Sequence, residues 1–179
     1  MLYAKGSFTG HYKHSDAKTI NRARYVIGNE YGAPAEGSDG LVNKAIAGYI
    51  NEHYSDLPVC ASLSVVRALR KINPKITIIG TFDNTSANTS ASTGGTWKEL
   101  GLAKSFAGEF WEYPVIVAQA YHVGRVSKQA RKIGMHPVVS LNLPPIFDPN
   151  STQWWCRNSL LWALREIPGA LILRMRGEL

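Results

Sequence analysis

Short, continuously apolar runs alternate along the chain with stretches whose apolar residues return every three or four positions. The first pattern suits a strand buried on both faces, the second an amphipathic helix. Residues 23–32, "ARYVIGNEYG", read as a brief strand entering a turn punctuated by Gly28 and Gly32. A helical period follows at Leu41, Val42, Ala45, Ile46, Tyr49 and Ile50. "LPVCASLS" is a second strand and "VVRALRKI" a helix that stops before Asn73 and Pro74. "KITIIGTF" is a third strand, and residues 96–111 form a helix with Leu100, Ala103 and Phe106 or Ala107 inward. "PVIVAQAYH" reads as a fourth strand ending on Tyr121 and His122. The helix "VGRVSKQARKIG" carries Val123, Val126, Ala130 and Ile133 on one face and stops at Gly134. "HPVVSLNL" is a fifth strand, and residues 151–168 the last helix, with Ser151 or Thr152 as its N-cap and its end before Pro168.

Strands alternating with helices predict a three-layer, Rossmann-like α/β domain over 24–179, with a mostly parallel sheet of about five strands. Residues 1–23 form a basic arm in front of it. In such sheets ligands collect at the carboxyl ends of strands, where the strand order reverses. His122 is expected at one such end. The segment 81–95, "TFDNTSANTSASTGG", has no large apolar residue after Phe82. It suits either a surface loop or an anion cradle leading into the helix that starts near Thr96.

Composition narrows the partners. The chain has 179 residues, 45% of them hydrophobic, with five Trp and eight Tyr, which is enough to fill one core. Its net charge of +7 and pI of about 9.5 favour an anionic partner. No run approaches the roughly 18 apolar residues of a membrane span, and the N-terminus lacks the apolar core of a secretory signal. Cytoplasmic residence is the expectation, and the sequons at Asn84, Asn88 and Asn150 are accidents of composition. Cys60 and Cys156 stand outside any metal or disulfide spacing, so no metal site is expected. Trp154, Trp155 and Trp162 fall at helical spacing, which favours core packing over base stacking and argues against nucleic acid as the partner.

A His at a strand tip with Arg125 three residues later supplies one near-neutral proton carrier and one fixed cation beside a helix N-terminus. That pairing suits an anionic ligand with a transferable proton, although either residue alone is as readily structural. GxSxG, P-loop, HExxH and full GxGxxG motifs do not occur, which removes support for those chemistries.

"VIVAQAYHVGRVSKQARKIG", with "TWKELGLAKSF" upstream and "RNSLLWALREIPGAL" downstream, resembles the YdcF/SanA/ElyC-like family, known as domain of unknown function 218. The family's Thr and acidic residue fall at Thr96 and Glu99, its aromatic-His pair and Arg at Tyr121, His122 and Arg125, and its late Arg-Glu pair at Arg165 and Glu166. The family's Asn after the acidic residue is Leu100 here, and "ASLS" at 61–64 departs from its Ser-Gly-Gly element. The resemblance implies a Rossmann-like fold. It also implies ligand contacts from Gly28, Asn29, Glu30, Ser62, Thr96, Tyr121 and Arg125, with Arg165 and Glu166 bracing them. S-adenosylmethionine binding has been associated with one branch of the family, so that ligand or another nucleotide is the cofactor class implied.

Two functions remain open. In the first, the chain is an enzyme for an anionic or nucleotide-like substrate, with His122 as general acid or base, Glu99 orienting it and Arg125 anchoring the anion. In the second, the same crevice belongs to a non-catalytic binding or regulatory module. Substrate, reaction and oligomeric state are not written in the sequence.

Overall fold

The computed structural model describes residues 21–32, 38–82, 95–139 and 143–177. Five strands, β1 (Tyr25–Gly28), β2 (Val59–Ser62), β3 (Ile78–Phe82), β4 (Pro114–Val117) and β5 (Val138–Val139), form one sheet in the order β3-β2-β1-β4-β5. Every pairing is parallel. The helices are α1 (Leu41–Tyr54), α2 (Leu63–Ile72), α3 (Gly95–Ala107), α4 (Ala120–Lys132) and α5 (Ser159–Met175), with short 3-10 turns at Gly108–Phe110 and Trp154–Cys156.

The strands are continuously apolar because both faces are covered. Alternate residues feed two cores: Val26, Val59, Ala61, Val115 and Val117 pack with Ile46, Ile50, Val65 and Leu69 of α1 and α2. Tyr25, Ile27, Cys60 and Ile116 pack with Leu100 and Ala103 of α3 and Val123, Val126 and Ala130 of α4. Each large aliphatic side chain so buried contributes about 1.5–3 kcal/mol. This is the expected three-layer Rossmann-like arrangement. Among the described residues no helix is long and apolar enough to cross a membrane.

Several boundaries differ from the expectation. The fourth strand stops at Val117, and Tyr121 and His122 lie in the first turn of α4. The cause is Gln119, whose side-chain Oε1 accepts from the Tyr121 N–H at 2.7 Å and starts the helix early. At the other end of α4, Gly134 takes φ 89°, the left-handed turn that stops the helix where expected. The last helix is capped by Asn158, whose Oδ1 accepts from the Leu161 N–H at 2.9 Å, not by Ser151 or Thr152. It also runs through Pro168 to Met175. Proline leaves the Leu164 carbonyl without its helical partner, at a turn that is exposed in the single chain. Ala107 rather than Phe106 faces the core. Trp162 is buried and Trp155 packs against the core, but Trp154 is exposed on the 3-10 turn. Only Val138–Val139 of the fifth strand pair in the sheet, and most of the polar segment 81–95 and of the basic arm lies outside the described residues.

Gly28 sits inside β1, where a Cβ would lie 2.9 Å from the Ala61 Cβ and 3.0 Å from the Ile50 Cδ1. The missing side chain makes room for α1 against the sheet. Gly28→Ala should therefore cost about 1–3 kcal/mol of stability by overpacking. A urea melt checks this, and an unchanged midpoint would mean that the strands can part there freely.

Candidate functional site

β1 and β4 are neighbours whose crossover connections leave in opposite directions, so the strand order reverses between them. Their carboxyl ends deliver Asn29, Glu30 and Tyr31 from one strand and Ala118 and Gln119 from the other. The Asn29 N–H donates to the Val117 carbonyl at 3.1 Å, holding the two ends together. From there the Asn29 Nδ2 reaches Glu99 on the first turns of α3, donating to Oε2 at 2.6 Å. Glu99 is thus buried, not an exposed neighbour of Lys98, and the partner it orients is Asn29 in place of His122. Glu30 accepts from the Ser64 hydroxyl, which lies 3.5 Å from the Ser62 hydroxyl at the end of β2. Asn29, Glu30, Ser62 and Glu99 therefore gather along the carboxyl edge, while Gly28 serves packing.

His122 and Arg125 meet each other directly. Arg125 Nη2 lies 3.0 Å from His122 Nδ1, and its Nη1 lies 3.1 Å from Oε2 of Glu166 on α5. A guanidinium only donates, so Nδ1 must be the acceptor and the imidazole proton sits on Nε2. Burial, and then the positive charge of Arg125, hold the His122 pKa well below its usual value. The ring is neutral at physiological pH. Burial raises the Glu166 pKa, opposed by Arg125 and Arg165. Arg125 is therefore not a cation waiting for an anion. Its charge is already shared with a buried carboxylate.

Tyr121 turns the other way, into the α1–α2 core, with ring centroids 5.6 Å from Phe147 and 5.0 Å from Trp162. It is a packing residue in this structure. Tyr31 lies over the site with its ring 6.0 Å from His122, and burial, then Cys156, keep its hydroxyl protonated. Cys60 and Cys156 are free and buried, and burial pushes both thiols up to about 12. Neither is a ready nucleophile. Among the described residues no three His, Cys, Asp or Glu side chains cluster as metal ligands.

A cavity of about 100 Å³ opens beside this network, lined by Gly95 and Thr96 at the N-terminus of α3, Arg125 and Gln129 of α4, and Arg165, Gly169 and Leu173 of α5. Arg165, expected only to brace the site, borders the cavity itself. Its guanidinium lies 5.6 Å from the Trp155 ring centre and makes no ion pair among the described residues. It folds across the helix because Gly169, one turn on, has no side chain: a Cβ there would collide with Nη1. Gln129 is buried with Oε1 lacking a partner. The Arg125 Nε, Glu166 Oε1 and Asn29 Oδ1 are likewise buried without hydrogen bonds. Buried polar atoms left unmatched cost about 1–3 kcal/mol each.

Gln129 and Gly169 carry no motif, although Gln129 falls one helical turn after Arg125 and Gly169 one turn after Arg165. Comparison with protein-family models, curated proteins and solved structures finds no match to this chain. Its chemistry is accordingly read from its own residues. The arrangement places the Arg165 guanidinium, an Arg125 guanidinium already paired with Glu166, and the N-terminus of α3 on one cavity.

Two measurements check the buried network. Arg125→Met should cost about 3–5 kcal/mol, because it leaves the Glu166 charge buried and unpaired, and adding Glu166→Leu should recover a large part of that loss. A chemical-denaturation double-mutant cycle reads the coupling. The second measurement follows from the depressed pKa of His122. Below the ordinary value of 6.5 the unfolded chain takes up a proton that the folded chain refuses. Stability contributed by the neutral ring is present above that pH and lost as pH falls through and below it, by up to about 1.4 kcal/mol per pH unit. Melting curves between pH 8 and 5 should show this slope in the native chain and a shallower one in His122→Gln.

Proposed function

We propose that this chain is a Rossmann-like module that binds an anionic, nucleotide-type small molecule at the carboxyl edge of β1 and β4, with its negative group in the cavity between α3, α4 and α5. The observation that carries the reading is the pair of arginines on that cavity, one neutralised by Glu166 and the other, Arg165, with no ion pair among the described residues. The N-terminus of α3 at Gly95 and Thr96 adds partial positive charge to the same space. About 100 Å³ suits a phosphate or carboxylate, whereas whole drug-sized ligands fill roughly 300–1,000 Å³. The remainder of a nucleotide therefore extends beyond the cavity.

Binding is favoured over proton transfer because the imidazole is neutral and its Nδ1 is occupied. His122 then contributes as an Nε2–H donor, and a weak base is a poor partner for acid–base chemistry near neutral pH. The resemblance to domain of unknown function 218 supports the same ligand class, including S-adenosylmethionine. Cytoplasmic residence belongs to this reading, in keeping with two free, buried thiols.

Thermal-shift titration with inorganic phosphate, nucleoside phosphates, phosphosugars and S-adenosylmethionine tests the proposal. A ligand at 100 times its dissociation constant adds about 2.7 kcal/mol of stability. Arg165→Gln should weaken binding by about 1.5–3 kcal/mol, the range for hydrogen bonds to charged groups, and leave the Arg125–Glu166 pair in place. Gly169→Ala should displace the Arg165 guanidinium and weaken binding too, while the apo protein keeps or gains stability, since alanine is the better helix former by about 1 kcal/mol. Unchanged affinity in both variants, or no stabilisation by any of these ligands, would overturn the reading.

A further inference from the structure

The last helix is apolar on two opposite sides. Trp162, Glu166, Gly169 and Leu173 are buried against the rest of the chain. At 100° per residue, Leu160, Leu164, Ile167, Leu171 and Met175 form a second stripe about 170° away. These five are exposed, from 50% at Ile167 to 80% at Met175. Between Ser159 and Leu173 the only charged residues are Arg165 and Glu166, both committed to the site. A helix apolar on both sides is normally covered on both.

We propose that a second copy of this chain covers the outer stripe, with α5 packing antiparallel on its symmetry mate. The spacing carries the argument. The positions 160, 164, 167, 168, 171 and 175 read the same in either direction about their midpoint. A two-fold axis there sets Leu160 against Met175, Leu164 against Leu171, and Ile167 against Pro168 of the other copy. Such self-complementarity is what an isologous interface requires. The steps of four, three, four and four are close to the alternation of three and four by which paired helices pack. The size agrees: five large apolar side chains, each at least half exposed, make a contiguous patch of the kind that marks an interaction surface.

Light scattering coupled to gel filtration, run on the full chain over a concentration series, should give a mass approaching twice 19.7 kDa. Leu164→Glu alone and Leu171→Lys alone should each weaken association by about tenfold or more. The double variant, Leu164→Glu with Leu171→Lys, should restore it, because the antiparallel register places each Glu opposite a Lys. Circular dichroism establishes that the variants remain folded. Independently of them, Ile167→Cys should crosslink to itself on mild oxidation and Leu160→Cys, roughly 20 Å from its own mate along paired helices, should not. A chain that stays monomeric at every concentration overturns the proposal. So does a double variant no better than the singles with no crosslink at position 167, or a monomer that instead sediments with anionic phospholipid vesicles, which would assign the stripe to a membrane surface.

Discussion

The contact on which the site depends is the buried ion pair between Arg125 and Glu166. It joins α4, which follows β4, to α5 across 41 residues of chain. Ion pairs in such surroundings add little net stability against an apolar alternative, but they punish the loss of one partner severely. The pair therefore acts less as glue than as a gauge of position: α5 is right only when Glu166 reaches the guanidinium. Everything else in the site takes its place from that. His122 is turned by the same guanidinium into a single tautomer, and Arg165, next to Glu166 in the chain, is carried to the cavity wall.

This arrangement also separates charge from availability. Arg125 is the cation that the sequence brings forward, standing one turn from a histidine, yet its charge is already taken. Arg165 has the plainer neighbourhood, a tryptophan ring and a glycine, and has no ion pair among the described residues. An aromatic face beneath a guanidinium restricts its motion without neutralising it. Gly169 completes the device by letting the side chain lie flat.

The layers and the parallel sheet were legible because strands covered on both faces are apolar at every position, a pattern that few other structures produce. That Asn29 and His122 fall close to the ends of β1 and β4 was legible too, as a consequence of that topology. The pairings inside the cluster were not. "AQAYH" is equally compatible with extended and helical backbone, and only the capping bond from Gln119 decides it. Glu99 beside Lys98 looks like a solvated helix residue until Asn29, 70 positions earlier, is brought over it. Pro168 looked like a stop because the solvent exposure that tolerates it is a tertiary fact. Gln129 and Gly169 show no signal of type or spacing beyond their one-turn offset from an arginine, and a glutamine or glycine on a helix is ordinary.

Because Arg125 lies on α4 and Arg165 and Glu166 on the later α5, the two ends of the site are separated in time of synthesis as well as along the chain. The five strands, α3 and Arg125 are all synthesised before the carboxylate that neutralises this arginine. Until α5 docks, α4 presents a guanidinium without its carboxylate. The proposed anion site is thus complete only once α5 has docked on α4.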